Sequence, residues 1–187
     1  MHVWKRPLQA GFTLVELLIV VIILSVLAAI IVPQFTSATV DAKEAALDAN
    51  LARVRSAIEL FHAQHNNFYP GAVVGGSAPA CSGTAGTGAA NSAQALVDHL
   101  LMYSDANGNT CTIGDANYKY GPYLRKGMPH DSITGKGAVV GEIAVTTTGA
   151  PIAPSAATGG WAYDMKSGQI VMNSNATDTK GKAYSTH

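Results

Sequence analysis

One carboxylate stands inside an apolar stretch near the start of the 187-residue chain. Between residues 12 and 32, Glu16 is the single charged residue. A carboxylate in a membrane helix costs roughly 2.5–3.5 kcal/mol on insertion scales and usually marks a function. The small residues Ala10 and Gly11 come directly before the stretch, where a peptidase could cut. Such a cut would free an amine at Phe12, which lies about one helical turn from Glu16 and could pair with it within one chain.

The apolar stretch is the element that must position Glu16. Its 21 residues span about 30 Å as a helix, which is the hydrocarbon thickness of a bilayer. The preceding pair Lys5 and Arg6 predicts a cytoplasmic N-terminus with the rest of the chain outside. Pro33 follows the stretch and predicts a helix kink. A plainer interpretation is also open, in which Glu16 is a polar residue tolerated at the membrane edge.

Composition excludes several classes of protein. The chain has 12 basic and 12 acidic residues, so it offers no net charge to nucleic acid, and no nucleic-acid partner is expected. Apolar residues make up 48% and charged residues 13%, about half the usual ~25%. A wholly soluble cytosolic enzyme and a fully disordered chain are both disfavoured. No catalytic triad motif or phosphate-binding loop stands in the sequence, so the prediction is that the chain is not an enzyme.

A heptad-like stripe predicts that the helix resumes after Pro33 and runs to about His65. Its members are Val40, Leu47, Leu51, Val54, Ile58 and Phe61. The stripe is expected to seat the helix against a small globular head, although about three repeats of coiled coil would give the same pattern. His62 and His65 lie three residues apart on this helix, and a solvated helix face is the interpretation preferred over a metal site.

The rest of the chain predicts a small α+β head. A short helix is expected over 92–103, a strand over 139–148 with a bulge at Gly141, and a hairpin of strands 161–164 and 169–173. The fold class is therefore a long N-terminal helix packed on three antiparallel strands. The predicted domains are a leader (1–11), a transmembrane and filament-core helix (12–33), a helix spine (34–66), a flexible Gly/Ala/Ser/Thr loop (67–91) and the head (92–187).

The run Gly11-Phe12-Thr13-Leu14-Val15-Glu16 resembles the processing site of type IV prepilins and type II secretion pseudopilins. The resemblance implies cleavage between Gly11 and Phe12 by a prepilin peptidase and methylation of the new Phe12 amine. It implies that Glu16 pairs with the Phe12 amine of a neighbouring subunit and so sets the register of a filament. It also implies the type IV pilin-like fold.

Two segments of the head resemble the major pseudopilin of type II secretion: Gly121-Pro122-Tyr123-Leu124 and Gly160-Trp161-Ala162-Tyr163-Asp164. The function implied is a structural subunit of a periplasmic pseudopilus for protein export. The alternative is a type IV pilin for adhesion, twitching motility or DNA uptake. Whether the chain is a major or a minor subunit is left open.

The same resemblance implies partners and a location. The partners are further copies of the chain in a helical homo-polymer, the prepilin peptidase, an inner-membrane assembly platform, minor pseudopilins and the lipid bilayer. The location is the bacterial inner membrane, crossed once with a periplasmic head, followed by extraction into a filament on assembly.

Cys81 and Cys111 are the only cysteines. Because the head is expected in an oxidising space, a disulfide between them is predicted, with two free buried thiols as the alternative.

No metal ligand and no cofactor are assigned. The major pseudopilin binds calcium near its C-terminus, whereas residues 173–187 here hold one carboxylate side chain, Asp178, beside Asn173, Asn175 and the terminal carboxylate. This tail does not support the calcium site, but backbone carbonyls could add oxygens, so a structural calcium ion is left open. The segment 105–115 is expected to form an Asn-Gly turn in preference to a calcium loop.

Overall fold

The computed structural model describes residues 11–72 and 77–187. The predicted leader therefore lies, apart from Gly11, outside the described residues. The chain divides into two compact units, residues up to Asp41 and residues Ala42–His187. Each unit is described by itself below, and the longest helix contributes residues to both.

The longest helix, α1, spans Leu14–Gln64, close to the predicted end at about His65. Its most apolar 18-residue window has a mean hydropathy of 3.2 and is not buried within the protein. The helix continues through Pro33, and the kink expected there stays a prediction. The part of α1 in the first unit is thus long and apolar enough to cross a membrane.

The core of the second unit forms along one stripe of α1, as predicted. Leu47, Leu51, Val54, Ile58 and Phe61 are all buried. The first four belong to one cluster with residues of the later elements, including Leu96, Leu100, Trp161, Tyr163, Ile170 and Met172, while Phe61 packs against the rings of His65 and His99. Burying each large apolar side chain contributes about 1.5–3 kcal/mol, so this stripe is the main stabilising contact of the unit.

The prediction of a solvated face is wrong at His65. This side chain is fully buried, and its ring stacks on Phe61 with 3.7 Å between ring centroids. Burial lowers the pKa of His65, so the ring is held neutral. Its two nitrogens face the Phe61 carbonyl at 2.8 Å and Ser104 Oγ at 3.0 Å. A buried imidazole is tolerated here because both nitrogens have partners.

Helix α2 spans Ala93–Leu101, within the segment predicted to be helical. Ser92 caps its start by accepting a hydrogen bond from the Ala95 N–H at 3.1 Å. A two-stranded antiparallel sheet that the sequence did not predict follows, formed by β1 (Tyr103–Ser104) and β2 (Thr110–Cys111). The turn between these strands closes on Asp105, whose Oδ1 accepts from the N–H groups of Asn107 and Asn109.

The main sheet has three strands in the order β3 (Ile143–Thr146), β4 (Trp161–Asp164) and β5 (Ile170–Met172). The α+β class is confirmed, but the sheet is mixed, because β3 pairs with β4 in parallel and β4 pairs with β5 antiparallel. The fourteen residues from 147 to 160 are long enough to return the chain to the same end of the sheet, which a parallel pair requires.

The strand predicted over 139–148 is shorter than expected. Val140–Glu142 form a 3₁₀ turn, so Gly141 lies in that turn and does not form a bulge. The predicted hairpin of β4 and β5 is confirmed, with Gly168 in its turn at a φ of 72°. A Cβ at Gly168 would collide with the ring of Tyr69, so this position requires glycine for its conformation and for space.

Residues 174–187, here called the C-terminal strap, lie against α1. Glu44 of α1 is 8% exposed, and its carboxylate accepts hydrogen bonds from the Thr179 N–H and Oγ at 2.9 Å each and from the Tyr184 hydroxyl at 3.3 Å. Arg55 donates to the His187 backbone oxygen at 2.7 Å. Polar contacts therefore join the strap to α1, and Tyr184 also belongs to the apolar cluster along that helix.

Candidate functional site

The predicted cleavage point lies immediately ahead of α1. Gly11, Phe12 and Thr13 are not helical, and the Phe12 side chain is 76% exposed. Among the described residues, and apart from its chain neighbours, no atom lies within 4 Å of where a Cβ on Gly11 would be. The Gly11–Phe12 peptide bond is thus in open, non-helical chain, which is the state that a peptidase needs for access.

Thr13 and Glu16 form a reciprocal cap at the start of α1. The Glu16 N–H donates to Thr13 Oγ at 3.2 Å. In return, Glu16 Oε2 accepts from the Thr13 N–H at 3.3 Å and from the Thr13 hydroxyl at 3.2 Å. This arrangement is a capping box, which satisfies N–H groups that have no partner within the helix.

The cap gives Glu16 a partner in the unprocessed chain. The Phe12 nitrogen is still bonded to Gly11, so it carries no positive charge for Glu16 to neutralise. The hydrogen bonds from Thr13 hold the carboxylate at the helix start, where the helix dipole also favours negative charge. Sequence reasoning missed Thr13, although the spacing Thr-x-x-Glu before an apolar run is the signal of a capping box.

The helix that follows Glu16 presents an apolar surface all round. Its large side chains are about half exposed or more, as in Leu17 (57%), Ile23 (54%) and Phe35 (68%). Water is a poor solvent for such a surface, so the helix is stable only where apolar surroundings cover it. This surface and the Gly11–Phe12 bond are parts of one segment.

The remaining predicted residues lie in the second unit. Cys81 and Cys111 are joined in a disulfide, with 5.7 Å between their Cα atoms. It ties the segment after residue 77 to β2. Asp178 Oδ1 accepts from the N–H groups of Lys180 and Lys182, and its Oδ2 lies 3.4 Å from His187 Nε2. Both oxygens of the single strap carboxylate therefore face protein donors or the His187 ring.

The N-terminal segment matches known proteins. Residues 6–32 match the family model described as the prokaryotic N-terminal methylation motif. Over 47 residues, 25% of this chain, it is 53% identical to the type IV narrow pilus major component PilA5 of Thermus thermophilus. Over 57 residues, 30% of this chain, it is 37% identical to the type II secretion system core protein G of Pseudomonas aeruginosa. The matched part spans 40% of the length of each relative. No solved structure matches.

The N-terminal segment of this chain is similar to the corresponding segment of a type IV pilus component and of a type II secretion core protein. The methylation motif covers Gly11, Phe12 and Glu16, and the long helix with a small sheet is the α+β arrangement that the resemblance implied. Both relatives are named as components of a pilus or of a secretion system.

Proposed function

We propose that this chain is a structural subunit of a pilus-like filament and not an enzyme. The observation that carries the proposal is the Gly11–Phe12 bond, exposed and directly ahead of a capped apolar helix, within a matched methylation motif. Cleavage there removes the leader and keeps the helix. The chain is then anchored in the membrane by residues 12–33, with the second unit outside.

In this proposal Glu16 changes partner on assembly. Cleavage creates a positive amine on Phe12, and an unpaired charge of either sign is costly in an apolar filament core. Glu16 of one subunit neutralises the amine of its neighbour, which fixes the axial register of the two chains. Thr13 holds Glu16 until that partner arrives.

The preferred filament is the pseudopilus of type II secretion. The hairpin Gly160-Trp161-Ala162-Tyr163-Asp164 resembles the major pseudopilin, and the core protein G relative supports this choice. A type IV pilus is the second candidate, supported by the higher identity to the pilus component. The two are told apart by deleting the gene: loss of exported enzymes with normal surface pili indicates the pseudopilus, and the reverse indicates a pilus.

Processing is tested by the intact mass of the membrane-extracted protein. A chain that begins at Phe12 and carries one added methyl group is expected. A chain that begins at Met1, or one cut after residue 33, would contradict the proposal.

Filament assembly is tested by the yield of sheared filaments relative to total membrane-bound subunit. Glu16→Ala should insert normally but give no filaments, and Glu16→Gln should fail less completely because it keeps a hydrogen bond. Glu59→Ala, on the exposed face of α1 in the second unit, is the matched control and should assemble normally. Normal filament yield and subunit spacing from Glu16→Ala would show that Glu16 does not set the register of the subunits.

A further inference from the structure

Two buried histidines flank one phenylalanine in the core of the second unit. The Phe61 ring stacks on His65 at 3.7 Å and on His99 at 4.8 Å between centroids. His65 is fully buried and His99 is 2% exposed. The filament function proposed above uses neither ring, so two buried titratable groups are left without a role.

The hydrogen bonds of His99 fix which of its nitrogens carries the proton. The Gly71 N–H donates to Nδ1 at 2.8 Å, so Nδ1 must present a lone pair. Nε2 faces the Gly108 carbonyl at 2.8 Å and must therefore be the N–H donor. The ring is thus neutral, and it links the turn at Gly71 to the turn at Gly108.

His65 has a different arrangement that tolerates a second proton. Its Nδ1 faces the Phe61 carbonyl and is the donor, while Nε2 accepts from the Ser104 hydroxyl. If Nε2 gains a proton, the hydroxyl can rotate and accept instead. The Gly71 N–H opposite His99 cannot reverse in this way.

We propose that His99 is an acid-operated clasp that holds the turn at Gly71 closed while its Nδ1 is unprotonated. In acid, a proton from solvent adds to the Nδ1 lone pair of His99. The Nδ1–H and the Gly71 N–H are then both donors and face each other without an acceptor. The hydrogen bond to Gly71 is then lost, whereas the bond from Nε2 to Gly108 remains. The Gly71 carbonyl also accepts a hydrogen bond from the Asn91 N–H at 2.8 Å. Release of the Gly71 N–H should therefore also weaken the contact between Gly71 and Asn91.

The surroundings of His99 favour the neutral ring. Burial is the largest effect and lowers the pKa of His99 to about 4. His65, in the turn that follows α1, lowers the pKa further, while the Gly108 carbonyl, the adjacent Asp98 on α2 and Asp105 in the β1–β2 turn raise it. The pKa of His99 is lower with the hydrogen bond to Gly71 in place than its ordinary value of 6.5. Proton binding therefore favours loss of that hydrogen bond as the pH falls below 6.5.

The experiment uses the full mature chain in detergent micelles, labelled with ¹⁵N. Long-range ¹H–¹⁵N spectra of the imidazoles should show His99 protonated on Nε2 at pH 7. Hydrogen exchange of the Gly71 amide, corrected for its intrinsic rate, should lose roughly twentyfold in protection between pH 7 and pH 5. The Leu100 carbonyl bonds to Tyr123 and Leu124 serve as an internal reference and should stay protected.

Two variants assign the effect to His99. His99→Gln cannot gain the proton, so its Gly71 protection should no longer depend on pH. His62→Gln is the matched control, because His62 is a partly exposed histidine that stacks on Tyr69 at 4.1 Å, and it should keep the wild-type dependence.

Several results would overturn the clasp. One is a ring protonated on Nδ1 at pH 7, and another is constant Gly71 protection between pH 7 and pH 5. A third is an unchanged pH dependence in His99→Gln, which would move the effect to His65. If His99→Gln does not fold, the wild-type spectra and exchange rates decide the matter alone.

Discussion

Thr13 and Glu16 satisfy each other's backbone and side-chain groups at the start of α1, with all three hydrogen bonds between 3.2 and 3.3 Å. This pairing explains how a carboxylate can rest at the head of an apolar helix before any partner is available. It also makes the first turn of the helix depend on one hydroxyl.

Replacing that hydroxyl should fray the first turn. Thr13→Val keeps the shape of the side chain but removes the cap, at a cost of about 1 kcal/mol to the helix start. Amide exchange at Leu17, whose N–H donates to the Thr13 carbonyl, should quicken. Thr13→Ser keeps the oxygen and should exchange like the wild type. Equal protection of Leu17 in Thr13→Val would show that the cap contributes nothing.

The Glu44 carboxylate should be the main fastening of the C-terminal strap. Glu44→Ala leaves the Thr179 N–H, the Thr179 hydroxyl and the Tyr184 hydroxyl without a partner, at a cost of about 2–3 kcal/mol. Glu44→Gln should cost less, because an amide oxygen still accepts. Denaturant unfolding of the second unit measures the difference. Glu59→Ala, on the exposed face of the same helix, should change the free energy of unfolding by less than about 0.5 kcal/mol.

The disulfide should contribute through the unfolded state. Cys81 and Cys111 are 30 residues apart, and closing a loop of that size is worth about 3–4 kcal/mol on the chain-entropy model. The double variant Cys81→Ser with Cys111→Ser should therefore unfold at lower denaturant concentration. Reductant should lower the wild-type midpoint towards that of the variant and leave the variant unchanged. Two alkylatable thiols in freshly isolated protein would contradict the pairing.

Among the carboxylates of the sheet, Asp164 should be the one whose replacement lowers the free energy of unfolding most. It is fully buried, and it accepts hydrogen bonds from Thr146 of β3 and from Ser167 of the hairpin turn. Asp164→Asn sets an NH₂ group against these donors and should cost about 2–3 kcal/mol. Asp115→Asn is the control, since Asp115 accepts similar turn hydrogen bonds at a partly exposed position.

The pH dependence gives Asp164 a second test. Burial opposes its charge, but hydrogen bonds from Ser167, Gly149 and Thr146 outweigh burial and lower the pKa well below its ordinary value. A lowered carboxyl pKa contributes stability that is complete above about pH 4 and is lost as the pH falls towards the folded value. In Asp164→Asn, stability should fall less as the pH is lowered, because the carboxylate that takes up the proton is gone. An identical stability profile below pH 4 in both proteins would contradict the assignment.

Local signals accounted for much of the structure. The stripe along α1, the short helix α2 and the β4–β5 hairpin were predictable because each depends on residues close in sequence. The parallel pairing of β3 was not, because the chain between residues 147 and 160 carries no local signal of its direction. His65 and Glu44 look like surface residues, and the partners that bury them lie 39 and 135 residues away. At the proposed processing site, the motif pointed to Gly11, Phe12 and Glu16 but not to the contribution of Thr13.

The contact between Glu44 and Thr179 has a consequence for biogenesis. The ribosome makes α1 first and the strap more than a hundred residues later, so the two cannot meet during early synthesis. If the second unit is exported as proposed, the apolar stripe of α1 crosses the membrane before the residues that later cover it. On that proposal the second unit completes its fold only after residue 184 has been translocated, and until then its uncovered apolar stripe is prone to aggregation.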